Sequence, residues 1–189
     1  WNLHVRERGF GKALETLPPL REGPCFSVCG AATLISRNAL EDLCLEGNNL
    51  HDPDFFMFWE DFELGWRAQR RGLNVHFAPA IRIRHFRSAT LTDKTAPRRG
   101  LARSRPPAIR AHIILNRYLT LIRHLSWGTF LKHLPILAVY DSLWLLWLLL
   151  PDFRPLPHLW RNRHKFSRAW TRRKEAPPSW NEKPWNPSP

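Results

Sequence analysis

Glu60 and Asp61 stand side by side where the aromatic run "FFMFW" (residues 55–59) gives way to a helix-like stretch ending at Gly72. Two kinds of chemistry suit adjacent carboxylates there. At a helix start they satisfy free backbone N–H groups and face the positive end of the helix dipole, which is a purely structural task. The same environment keeps Asp61 ionised, and an ionised carboxylate beside a cleft is what a general base requires.

Two neighbours favour the second reading. The run "FFMFW", Phe58 included, supplies an apolar aromatic wall of the kind that receives a sugar ring. His85 ends a strand-like segment shortly afterwards, where a side chain projects from a strand edge towards a shared cleft; on the residues alone, beside Arg84 and Arg87, the surface-histidine reading is the favoured one.

The elements that must position these residues are legible from pattern. "CFSVCGAATLIS" (25–36) reads as a buried strand leading into a turn, and "RNALEDLCLEG" as a short helix stopped by Gly47, with Leu40, Leu43 and Cys44 on one face. A helix from Asp61 to Arg71 is ended by Gly72. "LNVHFAP" and "AIRIRH" are short strands parted at Pro79, the second with Ile81 and Ile83 on a buried face and Arg82 and Arg84 on a wet one. The Pro- and Arg-rich stretch 92–107 is expected to be a mobile loop beside the same cleft. Residues 108–125 are helical, with Ile109, Ile113, Ile114, Leu121, Ile122 and Leu125 clustered.

The chain of 189 residues carries 29 Lys and Arg against 16 Asp and Glu, a net charge of +13. Such a field favours phosphate-bearing partners without choosing among them. Cys25, Cys29 and Cys44 lack zinc-like pairing and read as small buried hydrophobes in a reducing compartment. "LPILAVYDSLWLLWLLLP" (134–151) is short of the roughly 20 apolar residues of a spanning helix. Asp141 inside it would cost roughly 2.5–3.5 kcal/mol at a bilayer centre. Its flanks are basic on both sides, with Arg117, Arg123 and Lys132 before it and Arg154, Arg161 and Arg163 after. That suits a helix lying in the plane of an anionic membrane, and the basic, aromatic-interleaved segment 154–174 supports it. The competing reading is a buried core helix with a solvated basic face. Basic residues among aromatics also suit single-stranded nucleic acid, but no nucleic-acid motif accompanies them, and nucleic acid is not expected as a partner.

The order "CGAATLISR", "HDPDFFMFWEDFELGWR" and "GLNVHFAPAIRIRHFRSAT" resembles the C-terminal half of family 2 glycosyltransferases, closest to their rhamnosyltransferase-like bacterial members. The resemblance covers residues 25–90 well and extends loosely to His124. His51 and Pro53 depart from the family's Phe and Glu, and Glu63 from its second Asp, positions taken to lie in loop packing and on the helix surface. What the resemblance implies is an α/β, GT-A (nucleotide-diphospho-sugar transferase) fold. Asp61 would act as base on the acceptor hydroxyl, in an inverting transfer from a nucleotide-sugar donor to a glycan or lipid-linked acceptor. It further implies Glu60 and Arg67 in support, and Gly30 and Ala31 admitting substrate close to the backbone. Phe58 and Trp66 fall on the substrate side, Trp66 chiefly as packing. A divalent metal, Mg or Mn, would be held partly by His85, with its other ligands in the missing N-terminal half.

No strand, glycine-bearing nucleotide loop or Asp-x-Asp motif precedes Cys25, and the chain opens at Trp1. The expectation is therefore an acceptor-side half, inactive by itself. It divides into a connecting loop (1–24), the partial transferase domain (25–126), amphipathic and hydrophobic membrane-associating helices (127–175) and a tail without fixed structure (176–189). The expected role is in cell-envelope polysaccharide synthesis, in the cytoplasm, peripheral at the inner face of the cell membrane. A non-enzymatic, basic membrane-surface module or an inactive relic of a transferase is the alternative.

Overall fold

The computed structural model describes residues 3, 5, 8, 9, 12–83 and 105–174. His85, most of the stretch expected as a mobile loop, and the tail from 176 lie outside the described residues. Helices dominate: α1 (Arg37–Leu43), α2 (Glu60–Arg70), α3 (Pro107–His124), α4 (Trp127–Leu149), α5 (Pro155–Arg161) and α6 (His164–Lys174). Two-residue strands, β1 (Gly23–Pro24) and β2 (His76–Phe77), pair antiparallel with Gly23 opposite Phe77. This helix-rich arrangement with a small sheet is compatible with part of the α/β fold that the resemblance implies.

Local chemistry explains the helix limits. Ser36 Oγ accepts from Ala39 N at 3.3 Å to cap α1, and Ser126 Oγ accepts from Thr129 N at 3.1 Å to cap α4. Gly72, at φ 70°, ends α2 as its sequence predicts, and Leu73 N returns to Ala68 O at 3.0 Å.

Helix α3 is the centre of the molecule, packed against α2, α5 and α6. Its buried side is wider than the six-residue cluster read from sequence. Leu115 and Leu119 are buried with Phe55, Trp59 and Ala169, and each contributes about 2 kcal/mol by leaving water. Polar residues of α3 are buried too, and each is paired. Arg110 donates to Leu148 O at 3.0 Å and pairs with Asp152; Arg117 pairs with Asp141 at 2.7 Å; Arg123 pairs with Asp52.

Several expectations are corrected. Residues 25–36 form no strand; their chain lies over α2, with Leu34 98% exposed. The carbonyls of Cys25 and Phe26 accept from Gln69 Nε2 at 3.0 and 3.3 Å, so side-chain bonds stand where a ladder was expected. Ile81 and Ile83, expected on a buried strand face, are 72% and 55% exposed and lie in no strand. Cys29 is exposed, and Cys25 and Cys44 are only half-buried; all three are free thiols. Arg117 and Arg123, read as basic flanks, are interior ion-pair partners. Among the described residues no helix is long and apolar enough to cross a membrane.

Candidate active site around Glu60 and Asp61

Helix α2 starts from a turn in which both Phe58 (φ 66°) and Trp59 (φ 71°) adopt the left-handed conformation. Large side chains rarely hold that conformation unless their surroundings over-determine it. Asn116 of α3 does part of this, its Nδ2 donating to Met57 O and to Phe58 O, both at 2.8 Å. Phe55 and Trp59 point into the core below.

The aromatic wall read from sequence is therefore divided. Phe55 and Trp59 are core, Phe56 is 64% exposed and rests on the His112 ring, and Phe58 is half-buried with the Arg105 guanidinium 4.7 Å from its ring centre.

Asp61 stands in the first turn of α2, half-buried. Its Oδ1 accepts from Phe62 N at 2.7 Å and its Oδ2 from Gly30 N at 3.2 Å. Ser27 Oγ donates to the Asp61 carbonyl at 2.8 Å. The segment 27–30 can lie this close because Gly65 faces it: a Cβ there would come within 2.4 Å of Ser27 Cβ. Gly30 and Ala31 are exposed, and Gly30 touches the acid pair directly through its N–H.

Glu60 differs from its neighbour. Its Oε2 is buried without a hydrogen-bond partner among the described residues, and burial, together with the Asp61 charge, pushes its carboxyl above the usual carboxylate range. Adjacent acids with unlike environments are suited to unlike proton roles.

Arg67, expected to support the site, is a strut of α2. It is 4% exposed and donates to Glu63 Oε2 at 2.9 Å, to Leu50 O at 2.7 Å and to Leu43 O, tying α2 to the end of α1. Trp66 does pack, stacked 5.5 Å from the His124 ring and edge-on to Phe62 and Phe26.

Glu63, placed on the helix surface by its sequence, is fully buried. His124 Nε2 lies 3.0 Å and Arg123 Nη1 3.2 Å from Glu63 Oε1, while Arg67 holds Oε2. Burial alone would raise the Glu63 pKa, but these partners hold it down at about 2. Burial pushes His124 down to about 4, so at neutral pH the ring is uncharged. In the tautomer that fits, Nε2–H donates to Glu63 and Nδ1 accepts from Arg70 Nη1 at 3.0 Å.

Sequence reasoning also missed the pinning of the preceding loop. Asp52 accepts from Arg123 and Arg172, and Asp54 accepts from Arg168 Nε at 3.1 Å, while Lys165 Nζ donates to Asp54 O at 2.7 Å. The signal was present: Lys165, Arg168 and Arg172 recur at helical spacing in a segment without acids, opposite an Asp-Pro-Asp loop. Lys165 and Arg172 are half-buried and Arg168, though exposed, is ion-paired with Asp54, so part of the basic charge expected on α6 is neutralised.

Of the divalent metal, most of whose ligands the resemblance puts outside this chain, the described residues show no site. Among them no group of three or more His, Cys, Asp or Glu side chains is arranged around one point. Asp52, Asp54 and Glu63 are each occupied by guanidinium groups, and His85 lies outside the described residues.

A family model described as "Glycosyl transferase family group 2" matches residues 19–156, a span that holds every site residue above. No curated protein and no solved structure matches the chain.

Proposed function

Since the chain belongs to glycosyl transferase family group 2, we propose that it transfers a sugar from a nucleotide-sugar donor to a glycan or lipid-linked acceptor, with inversion and with Asp61 as general base. The acceptor hydroxyl oxygen forms the new bond to the anomeric carbon and its proton passes to the Asp61 carboxylate. The bond from that carbon to the diphosphate breaks on the opposite face, and the nucleoside diphosphate leaves with the electron pair. The reading does not depend on a metal.

One observation carries it. The Asp61 carboxylate is oriented from two sides by the Phe62 and Gly30 N–H groups, at a half-buried helix start reached past exposed Gly30 and Ala31. A carboxylate held in a fixed direction beside an open approach is what proton acceptance from a bound hydroxyl needs. Glu60, with its unpartnered buried oxygen, is the supporting acid. The test is transfer by Asp61→Asn in the full-length protein, with donor affinity measured alongside. Loss of roughly 10²- to 10⁴-fold in rate at near-parental donor affinity is the expected result; the parental rate would reduce the pair to a helix cap.

The reading extends to place: an enzyme of cell-envelope polysaccharide synthesis, cytoplasmic and peripheral at the inner face of the membrane. What supports attachment is the outer side of α4, where Leu131, Val139, Leu143, Leu146 and Leu150 are more than half exposed, continued by Phe153 and Trp160. Exposed Lys132, Arg161 and Lys174 supply positive charge on the same C-terminal region. That surface equally suits a second reading, a non-enzymatic basic membrane-surface module, which predicts binding to vesicles and no transfer.

A further inference from the structure

We propose that Asn116 is a positioning residue for transfer: its amide fixes the left-handed turn at Phe58 and Trp59, and through it the direction in which Glu60 and Asp61 point. The proposal rests on the reading of Asp61 as base.

The turn is an unusual way to start a helix. Phe58 and Trp59, both bulky, stand consecutively at φ 66° and 71°, and α2 follows without a side-chain cap. The first helical bond of α2, Glu63 N to Trp59 O at 2.7 Å, closes directly on this turn. A small rotation at Phe58 or Trp59 therefore swings the first helical turn, where both carboxylates sit. Such a conformation persists where neighbours hold it, and it clusters at sites whose geometry matters.

Asn116 is placed to hold it. The residue is 0% exposed, on the central helix, and both carbonyls entering the turn accept from its Nδ2 at 2.8 Å. Only the amide nitrogen can face two carbonyl oxygens, so the group's orientation is fixed. Its Oδ1 is left buried without a partner among the described residues, so the two bonds from Nδ2 are what hold the group there. The adjacent Arg117 lies over the Trp59 ring at 5.9 Å, so two successive residues of α3 bear on the same turn. Misplacing a reacting group by about an ångström costs on the order of 10²-fold in rate.

The test compares Asn116→Ala, Phe58→Gly and the double variant with the parental full-length protein, in kcat, donor KM and thermal midpoint. Asn116→Ala is expected to lower kcat about 10- to 100-fold while donor KM moves less than about threefold. Glycine adopts φ 66° freely, so adding Asn116→Ala to Phe58→Gly is expected to cost at least about threefold less in kcat than adding it to the parent. A parental kcat per folded molecule, or an undiminished cost in the glycine background, overturns the proposal. Asp61→Asn, run in parallel, separates the failures: if it transfers normally the base assignment falls, whereas if it is inactive and Asn116→Ala is not, only Asn116 falls. Should Asn116→Ala not fold, side-chain amide exchange in the parental protein labelled with 15N-asparagine decides. Protection of the Asn116 Nδ2 protons by more than about 100-fold over exposed asparagines supports the hold, and exchange at the exposed rate overturns it.

Discussion

Arg117, fully buried on α3, donates a 2.7 Å hydrogen bond to Asp141 in the middle of the apolar helix α4. This pair explains an aspartate that makes little sense in "LPILAVYDSLWLLWLLLP" alone. Its partner stands 24 residues earlier, and the Arg117 guanidinium also donates to Leu3 O at 2.7 Å. Removing one member strands the other in the interior. Asp141→Leu should destabilise the fold by about 3–5 kcal/mol. Arg117→Met combined with Asp141→Leu should recover part of that loss. Urea unfolding of the single and double variants checks it, and equal losses in both would show that packing rather than stranded charge dominates.

Stability should fall on mild acidification, well before the usual carboxylate range. His124 has its pKa depressed to about 4, facing Glu63, Arg70, Arg123 and the stacked Trp66. In the unfolded chain the ring protonates near 6.5. Between about pH 6.5 and 4 the unfolded state therefore binds more protons than the native state, and stability drops by at most about 1.4 kcal/mol per pH unit. Glu63, depressed to about 2, adds its own loss from about pH 4.5 downwards. Denaturation midpoints across pH 4–7 test the sign. His124→Gln, which cannot titrate, should flatten the upper part of that slope.

The two site acids should separate under isosteric substitution. Asp61→Asn keeps the shape but presents an amide to Gly30 N and Phe62 N in place of a carboxylate, and loses proton acceptance. Glu60→Gln neutralises a group that burial already makes harder to ionise. We expect Glu60→Gln to cost about tenfold or less in transfer rate, against roughly 10²- to 10⁴-fold for Asp61→Asn. The reverse order, with Glu60→Gln the more damaging, would move the base to Glu60, whose unpartnered Oε2 is the observation that allows it.

Local signals were legible wherever the cause was local. The α2 start, one residue before the expected Asp61, its end before Gly72 and the long helix α3 follow from charge placement, glycine and periodicity within a few residues. What failed depended on partners far along the chain. Glu63 looks like a surface residue of α2 until Arg123 and His124, some 60 positions later, are brought against it. The hold of Arg67 on the carbonyls of Leu43 and Leu50 is likewise long-range, 24 and 17 positions away. The strand expected over 25–36 was overridden by Ser27 and Gly65, which let that chain lie on α2, and Gln69, which takes its carbonyls. Asn116 gave no sequence signal, since a single asparagine in an apolar helix marks neither a cap nor a motif.

The last prediction concerns the apolar side of α4. Leu131, Val139, Leu143, Leu146 and Leu150 are between 56% and 68% exposed, while Leu137 and Leu148 are buried against the body of the protein. We expect this exposed apolar side to dock on membrane lipid. Asp52 and Asp54 offset part of the charge of Lys165, Arg168 and Arg172, in a basic rim that also holds exposed Lys132, Arg154, Arg161, Arg163 and Lys174. The apolar contribution should outweigh the electrostatic one. In vesicle flotation, recovery with anionic lipid should exceed that with neutral lipid at low salt, and the difference should shrink at high salt. Recovery itself should persist at high salt, because apolar burial is not screened. Val139→Asp with Leu143→Asp should abolish flotation while leaving the thermal midpoint near its parental value, since both side chains are exposed. Flotation that survives the double substitution would move the docking surface off α4, and flotation lost entirely at high salt would assign it to charge alone.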